Sequence, residues 1–210
     1  RQRQMCIRDS TDIRQAAAKR LEERVVGELR DLSMPSVRFE VRLLSREGKN
    51  ALSASGADEV SFVMSANAGE ALGPISRIAS GGELSRIMLA LKNVFAEKDG
   101  VDALIFDEID TGVSGVAAQR VAEKLASLGR TKQVLCVTHL PQIAAMAQQQ
   151  YLVEKAEHGG RTYTNILLLD REGRRYELAR LSGGDMITDI QLAGAEELLA
   201  RDERFRASLS

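Results

Sequence analysis

The chain predicts an α/β fold, and three observations carry that expectation. Its second half alternates short apolar runs with helical stripes, two of the apolar runs end on polar residues suited to chemistry, and Gly and Pro separate the segments. Past Gly73 and Pro74 the order reads helix (82–98), apolar strand (103–106), helix (116–128), apolar strand (134–138) and helix (141–148). Such alternation predicts a mostly parallel sheet with flanking helices. With 210 residues and 44% hydrophobic content, the material suffices for one sizeable core, so one domain or one domain with an appendage is expected.

Upstream, Ile13, Ala17, Leu21, Val25, Leu29 and Leu32 recur at three- and four-residue steps between charged residues, which predicts an amphipathic helix over 11–32. On pattern alone this is equally a surface helix or the end of a coiled coil, because sustained heptads are needed to decide. Residues 1–10 do not extend the stripe and read as a non-native or disordered junction. Pro35 is expected to end the helix. Val37, Phe39, Val41 and Leu43 then alternate with Arg38, Glu40 and Arg42, and Val60, Phe62 and Met64 repeat the period beyond a Gly/Ser-rich stretch at 45–58. An antiparallel, hairpin-like pair is predicted there. Near the end, strands at 151–154 and 162–169 flank His158-Gly159-Gly160, a hairpin signal, before a charged, helix-like tail.

Lys and Arg total 29 against 30 Asp and Glu, so a formal charge of -1 excludes a global electrostatic footprint for nucleic acid or membrane. Any DNA contact must be local. Cys6 and Cys136 lie far apart with no paired spacing, which argues against a disulfide framework or a zinc site and for a reducing, cytoplasmic setting. No apolar run approaches the roughly 20 residues that cross a bilayer, and the start has no apolar core of a signal peptide.

The segment IASGGELSR sets Ser80, Gly81, Gly82 and Glu83 before Leu84, Ile87, Met88, Leu91, Val94 and Phe95. This marks a helix start. A capping box of Ser80 and Glu83 explains the Ser and the Glu but not the glycine pair. Two glycines let a phosphate approach bare N–H groups at the positive end of the helix dipole. In ALIFDEID an apolar strand delivers Asp107 and Glu108 at its C-terminal end, where open α/β sheets bind ligands. Asp107 suits magnesium through an oxygen ligand and Glu108 suits the orientation and deprotonation of an attacking water, although an acidic pair after a strand is often only a solvated loop. His139 follows the strand at 134–138, so both strand ends converge on one sheet edge. Two look-alikes are set aside. Leu181-Ser182-Gly183-Gly184-Asp185 follows both strands and reads as a loop. Gly48-Lys49-Asn50 lacks the upstream glycine of a P-loop, where Leu43 stands, so the chain contains no Walker A motif.

SGGE, then a strand with Asp-Glu, then a strand with His, resembles the C-terminal lobe of an ABC/SMC-type P-loop ATPase head: signature motif, Walker B and switch histidine in order. IASGGELSRIMLALK, LIFDEIDTGVSG and VLCVTHLPQIAAMA together resemble the SMC-like RecN family. The resemblance implies two ATPase segments separated by a long antiparallel coiled coil, so 11–33 would be the end of the returning coil and 34–210 the C-terminal half of a head. It implies ATP and Mg2+ as cofactors, and as partners the N-terminal Walker A half of the same head, a second head in an ATP-sandwich dimer, and DNA, with no membrane. It further implies a role in recombinational repair of DNA double-strand breaks at the nucleoid. By position, Ser80, Gly81 and Gly82, with Glu83 beside them, would face ATP on the opposite head. Asp107 would serve magnesium, Glu108 the water, Asp110 a D-loop contact across the dimer, and His139 the γ-phosphate. ATPase activity is then a property of the full-length protein, and this chain alone is expected to be inactive. A transporter ATPase is disfavoured because its Walker A should precede the signature. A non-catalytic dimerisation or interaction fragment is the rival reading.

Overall fold

In the computed structural model, the residues described are 2–46, 56–77, 81–96, 100–158, 161–184 and 186–209, with the side chains of 2–9, 158 and 161 left aside. The chain divides into two compact units, Arg1–Asp99 and Gly100–Ser210.

In the first unit the apolar stripe folds as α1 (Gln2–Asp31), whose helical backbone starts upstream of Thr11, inside the segment expected to be a junction. Burial grows along the stripe. Ile13 is 68% exposed, Leu21 is half-buried, and Val25, Leu29 and Leu32 are fully buried. Pro35 does not end the helix. Ser33 takes a left-handed backbone (φ 63), its N–H donates to the Arg30 carbonyl, and the Met34 N–H reaches back to the Leu29 carbonyl at 3.0 Å. This pair of bonds is a Schellman stop, closed by the buried side chains of Leu29 and Met34.

Strands β1 (Arg38–Ser45) and β2 (Asp58–Ser65) pair antiparallel as their alternation predicts, with Val41 opposite Phe62 and Phe39 opposite Met64. A two-residue strand, β3 (Gly73–Pro74), adds to β2, where a proline is tolerated because the edge needs no donor from it. Helix α1 covers β1, and Glu22 accepts the Val41 N–H at 2.7 Å. Asp58 ties α1 to the start of β2, accepting from Thr11 Oγ1, Arg14 Nη1 (2.6 Å) and Ser45 Oγ. The Arg14 hydrogen bond, opposed by burial, holds the Asp58 carboxyl below the ordinary carboxylate range. Gly56 leaves room for that guanidinium, since a Cβ there would lie 2.9 Å from Nη1. Most of the predicted connection, with Gly48-Lys49-Asn50, lies outside the described residues. Helix α2 (Gly81–Phe95) follows and packs on α1. Its buried face is built on Arg86, Ile87, Leu89 and Ala90, whereas Leu84, Met88 and Phe95 of the predicted stripe are 38–39% exposed.

The second unit begins with a βαβ element: β4 (Ala103–Phe106), α3 (Gly115–Leu128) and β5 (Gln133–Cys136), with Phe106 registered on Cys136 in a parallel pair. The apolar runs of the two strands are buried on one face only. Phe106 is buried and Leu104, Val134 and Cys136 half-buried, but Ile105, Leu135 and Val137 are 75%, 48% and 63% exposed. Parallel strands ordinarily bury both faces. Next come α4 (Pro141–Met146), the antiparallel pair β6 (Tyr151–His158) and β7 (Arg161–Leu168), α5 (Arg171–Gly183) and α6 (Asp189–Ser208). The class is α/β as predicted, with the parallel component confined to β4 and β5 among the described residues.

Ala144, Ala145, Leu178, Ala179, Ala195 and Leu199 form a core joining α4, α5 and α6. Two guanidiniums close the end of α4: Arg174, 8% exposed, donates to the carbonyls of Ala144, Ala145 and Ala147, and Arg206 to those of Ala145 and Met146. Cations there satisfy orphan carbonyls and the negative end of the helix dipole. The segment read as a loop, 181–185, is corrected: Leu181, Ser182 and Gly183 form the last turn of α5. Gly184 (φ 80) ends it, and Asp185 lies outside the described residues.

Candidate functional site: the C-terminal edge of β4 and β5

At the end of β4 the chain must turn two consecutive carboxylates outward, which a continuing strand would not do because neighbours alternate. Glu108 breaks the alternation by adopting a left-handed backbone (φ 57), a conformation that costs a non-glycine residue about 1 kcal/mol or more. Asp107 and Glu108 are therefore both exposed, while Ile109 and Asp110 turn inward at 0% and 4% exposure. Asp107 Oδ1 accepts the Glu108 N–H at 2.9 Å, and the Thr111 N–H returns to the Glu108 carbonyl. Fully buried Ile109 anchors the turn.

The Val137 N–H continues the sheet by bonding to the Phe106 carbonyl, which sets Thr138 and His139 beside the acidic turn. Asp110 Oδ2 accepts the Thr138 hydroxyl at 2.6 Å and the His139 backbone N–H at 2.9 Å, and His139 Nδ1 lies 3.0 Å from the same oxygen. The imidazole itself stays 72% exposed. So the structure gathers Asp107, Glu108, Asp110 and His139 on one edge. The Asp110 carboxylate is buried and engaged within its own chain. Thr138 was missed by sequence reasoning. Only a tertiary contact gives it a role.

The glycine pair belongs to the first unit. Gly81 is exposed, Gly82 buried and Glu83 half-buried at the start of α2, and Ser80 lies outside the described residues, so its capping role does too. Burial lowers the Arg86 pKa, and the charge of Glu83 partly restores it. Cys136, under the edge, is pushed up to about 12 by burial and by Asp110 and Asp107, which leaves an inert thiol rather than a nucleophile or ligand.

Magnesium needs few protein ligands where phosphate oxygens and waters complete its octahedron. One exposed carboxylate, Asp107, fits that partial role, and among the described residues no cluster of three or more metal-capable side chains exists to suit a self-sufficient site.

The chain is 45% identical over 190 residues to the DNA repair protein RecN of Halalkalibacterium halodurans, covering 90% of this chain and 34% of that protein. It is 44% identical over 182 residues to that of Vibrio cholerae (87% and 32%) and 39% identical over 210 residues to that of Bacillus subtilis (94% and 36%). The chain belongs to the RecN family. It spans about a third of the length of these RecN relatives. No family model matches. Among solved structures, the Smc head domain with a coiled coil and joint derived from Pyrococcus yayanosii superposes with a TM-score of 0.54 at 18% identity, covering 81% of this chain and 30% of that one. An Smc head domain with an extended coiled coil from Pyrococcus furiosus, bound to the C-terminal domain of ScpA, gives 0.50 at 18% identity, covering 80% and 39%. At such identity the likeness shows the fold, an SMC-type head. None of the described helices is long and apolar enough to cross a membrane.

Proposed function

We propose that this chain is the C-terminal half of a RecN-type ATPase head acting in recombinational repair of DNA double-strand breaks. The observation that carries the reading is the edge of β4 and β5, where a left-handed Glu108 presents two adjacent carboxylates beside an exposed imidazole. Strain of that kind is kept where chemistry needs it. Asp107 holds magnesium, which when bound neutralises charge developing on the phosphates. Glu108 orients the attacking water and takes its proton, and His139 contacts the γ-phosphate.

Ser80, Gly81, Gly82 and Glu83 at the start of α2 face the nucleotide of a second head, through N–H groups at a positive helix end. The exposed Ile105, Leu135 and Val137 suit cover by the N-terminal Walker A lobe, a partner that would bury the second face of the sheet. With burial increasing from Ile13 to Leu32, α1 reads as a coiled-coil arm entering the head. DNA is engaged by the full-length protein, and the setting is the cytoplasm.

The test uses a full-length RecN-type protein. Glu108→Gln should preserve ATP binding and slow single-turnover hydrolysis by several orders of magnitude, since general-base removal leaves binding contacts in place. A near-wild-type single-turnover rate removes Glu108 from the role. The 210-residue chain alone should show no magnesium-dependent turnover, and addition of the N-terminal segment should restore it. Turnover by the chain alone, abolished by Glu108→Gln, would overturn the half-site reading.

A further inference from the structure

We propose that Asp110 is the positioning residue of His139, setting both the tautomer of its ring and the direction in which the ring points. The proposal rests on the reading of His139 as the phosphate-facing group, and it replaces the cross-dimer contact assigned to Asp110 by resemblance.

A carboxylate that is 4% exposed is costly unless donors compensate it, and Asp110 Oδ2 accepts two hydrogen bonds with the His139 ring nitrogen 3.0 Å from the same atom. Each contact bears on a different degree of freedom. The His139 backbone N–H fixes the main chain at the root of the side chain. His139 Nδ1 stands 3.0 Å from Oδ2, and because a carboxylate only accepts, this approach calls for the proton on Nδ1. The Thr138 hydroxyl, which donates to Oδ2, accepts from the Leu140 N–H at 3.1 Å and so couples the clamp to the residue that precedes Pro141 and α4. An exposed histidine ordinarily samples several rotamers; this one is held at both ends by one buried group.

The outward nitrogen is therefore Nε2. To donate to a phosphate oxygen from Nε2 the ring must carry both protons, one of which is already held at Nδ1 against the carboxylate. Asp110 thus acts through His139 and touches no reacting atom. A buried aspartate serving only to close the turn would need the Thr138 and main-chain bonds, not the close approach of the ring nitrogen.

Nitrogen NMR of the imidazoles decides the matter, because the chain has two histidines and His158→Gln leaves His139 alone in the spectrum. In the 15N-labelled 210-residue chain, above the titration of the ring, His139 should be predominantly the Nδ1–H tautomer. In Asp110→Ala it should revert to the Nε2–H-dominated mixture of an unrestrained imidazole. A predominantly Nε2–H ring in the otherwise unaltered chain overturns the proposal whether or not the variant folds, as does Nδ1–H persisting in folded Asp110→Ala. In the full-length protein, Asp110→Ala should lower kcat for ATP at least tenfold with KM changed less than twofold. If the tautomer reverts while kcat holds, the clamp stands and what fails is the assignment of His139 to the phosphate.

Discussion

Two segments of this chain carry the same residue types in the same order, Ser80-Gly81-Gly82-Glu83 and Ser182-Gly183-Gly184-Asp185, and they sit at opposite ends of helices. In the first, an exposed Gly81 opens α2 at the N–H end of the helix, which is the positive end. In the second, Gly183 is the last residue of α5 and Gly184 its left-handed stop, so the end presented there is the carbonyl end, which attracts cations. Glycine opens a helix in one place and terminates one in the other. The tetrapeptide carries no function by itself; its position relative to the helix decides.

The strongest way to break this comparison is to place the same cation at both serines in a full-length RecN-type protein. Ser80→Arg should abolish ATP-dependent head association, since a long side chain intrudes where the glycine backbone receives phosphate. Ser182→Arg should leave association intact, because Ser182 is exposed and its hydroxyl donates to the Leu178 carbonyl of its own helix. Circular dichroism should be unchanged in both. Sedimentation with and without ATP reads the outcome, and equal behaviour of the two variants would mean the segments do not differ in role.

A smaller effect separates the glycines by backbone. Gly184 has φ 80 and ψ -164, a region essentially closed to other residues, so Gly184→Ala should cost on the order of 1–3 kcal/mol in urea unfolding. Gly81→Ala, in helical backbone at an exposed position, should cost nothing. Gly183 lies between these. A Cβ there would fall 1.4 Å from Gln191 Nε2, and Gln191 is committed to a reciprocal cap in which it accepts from the Thr188 N–H and donates its own N–H to the Thr188 hydroxyl. Gly183→Ala should therefore cost about 1 kcal/mol by displacing that cap, and should cost nothing once Gln191→Ala has already removed it. Additive costs in this cycle would show that Gly183 and Gln191 do not depend on one another.

The features legible in the sequence were those with a period. Alternation of Val37, Phe39 and Val41 against Val60, Phe62 and Met64 predicted the pairing of β1 and β2, and apolar runs before Asp107 and His139 predicted two strands ending at one edge. Features made by single contacts were not legible. A two-residue strand at Gly73 has no period to read, and residues 2–10 form helix without an apolar stripe. The left-handed backbone of Glu108 is invisible in its residue type. The contacts of Asp110 were hidden for the same reason: its partners are Thr138 and His139, on the far side of α3, and the parallel register of β4 and β5 brings them within reach.

The third helix end sharpens the comparison by lacking glycine altogether. Helix α1 stops at Ser33, which holds φ 63 with the two back-bonds of a Schellman turn and the Leu29–Met34 apolar closure. If termination is what glycine supplies at Gly184, then glycine at Ser33 should be accepted without loss. Ser33→Gly relieves a Cβ strain of about 1 kcal/mol, against which the more flexible unfolded chain takes back most of the gain, so a net stabilisation of roughly 0.5 kcal/mol is expected. Ser33→Val tests the other sign. A β-branched side chain fits left-handed backbone worst, and a loss of about 1–2 kcal/mol should follow while the helical signal of α1 shortens little, since the buried Val25, Leu29 and Leu32 still hold the last turns. Urea unfolding of the two variants beside the unaltered chain measures both. Destabilisation by Ser33→Gly, or indifference to Ser33→Val, would show that packing of Leu29 and Met34 rather than backbone conformation ends the helix.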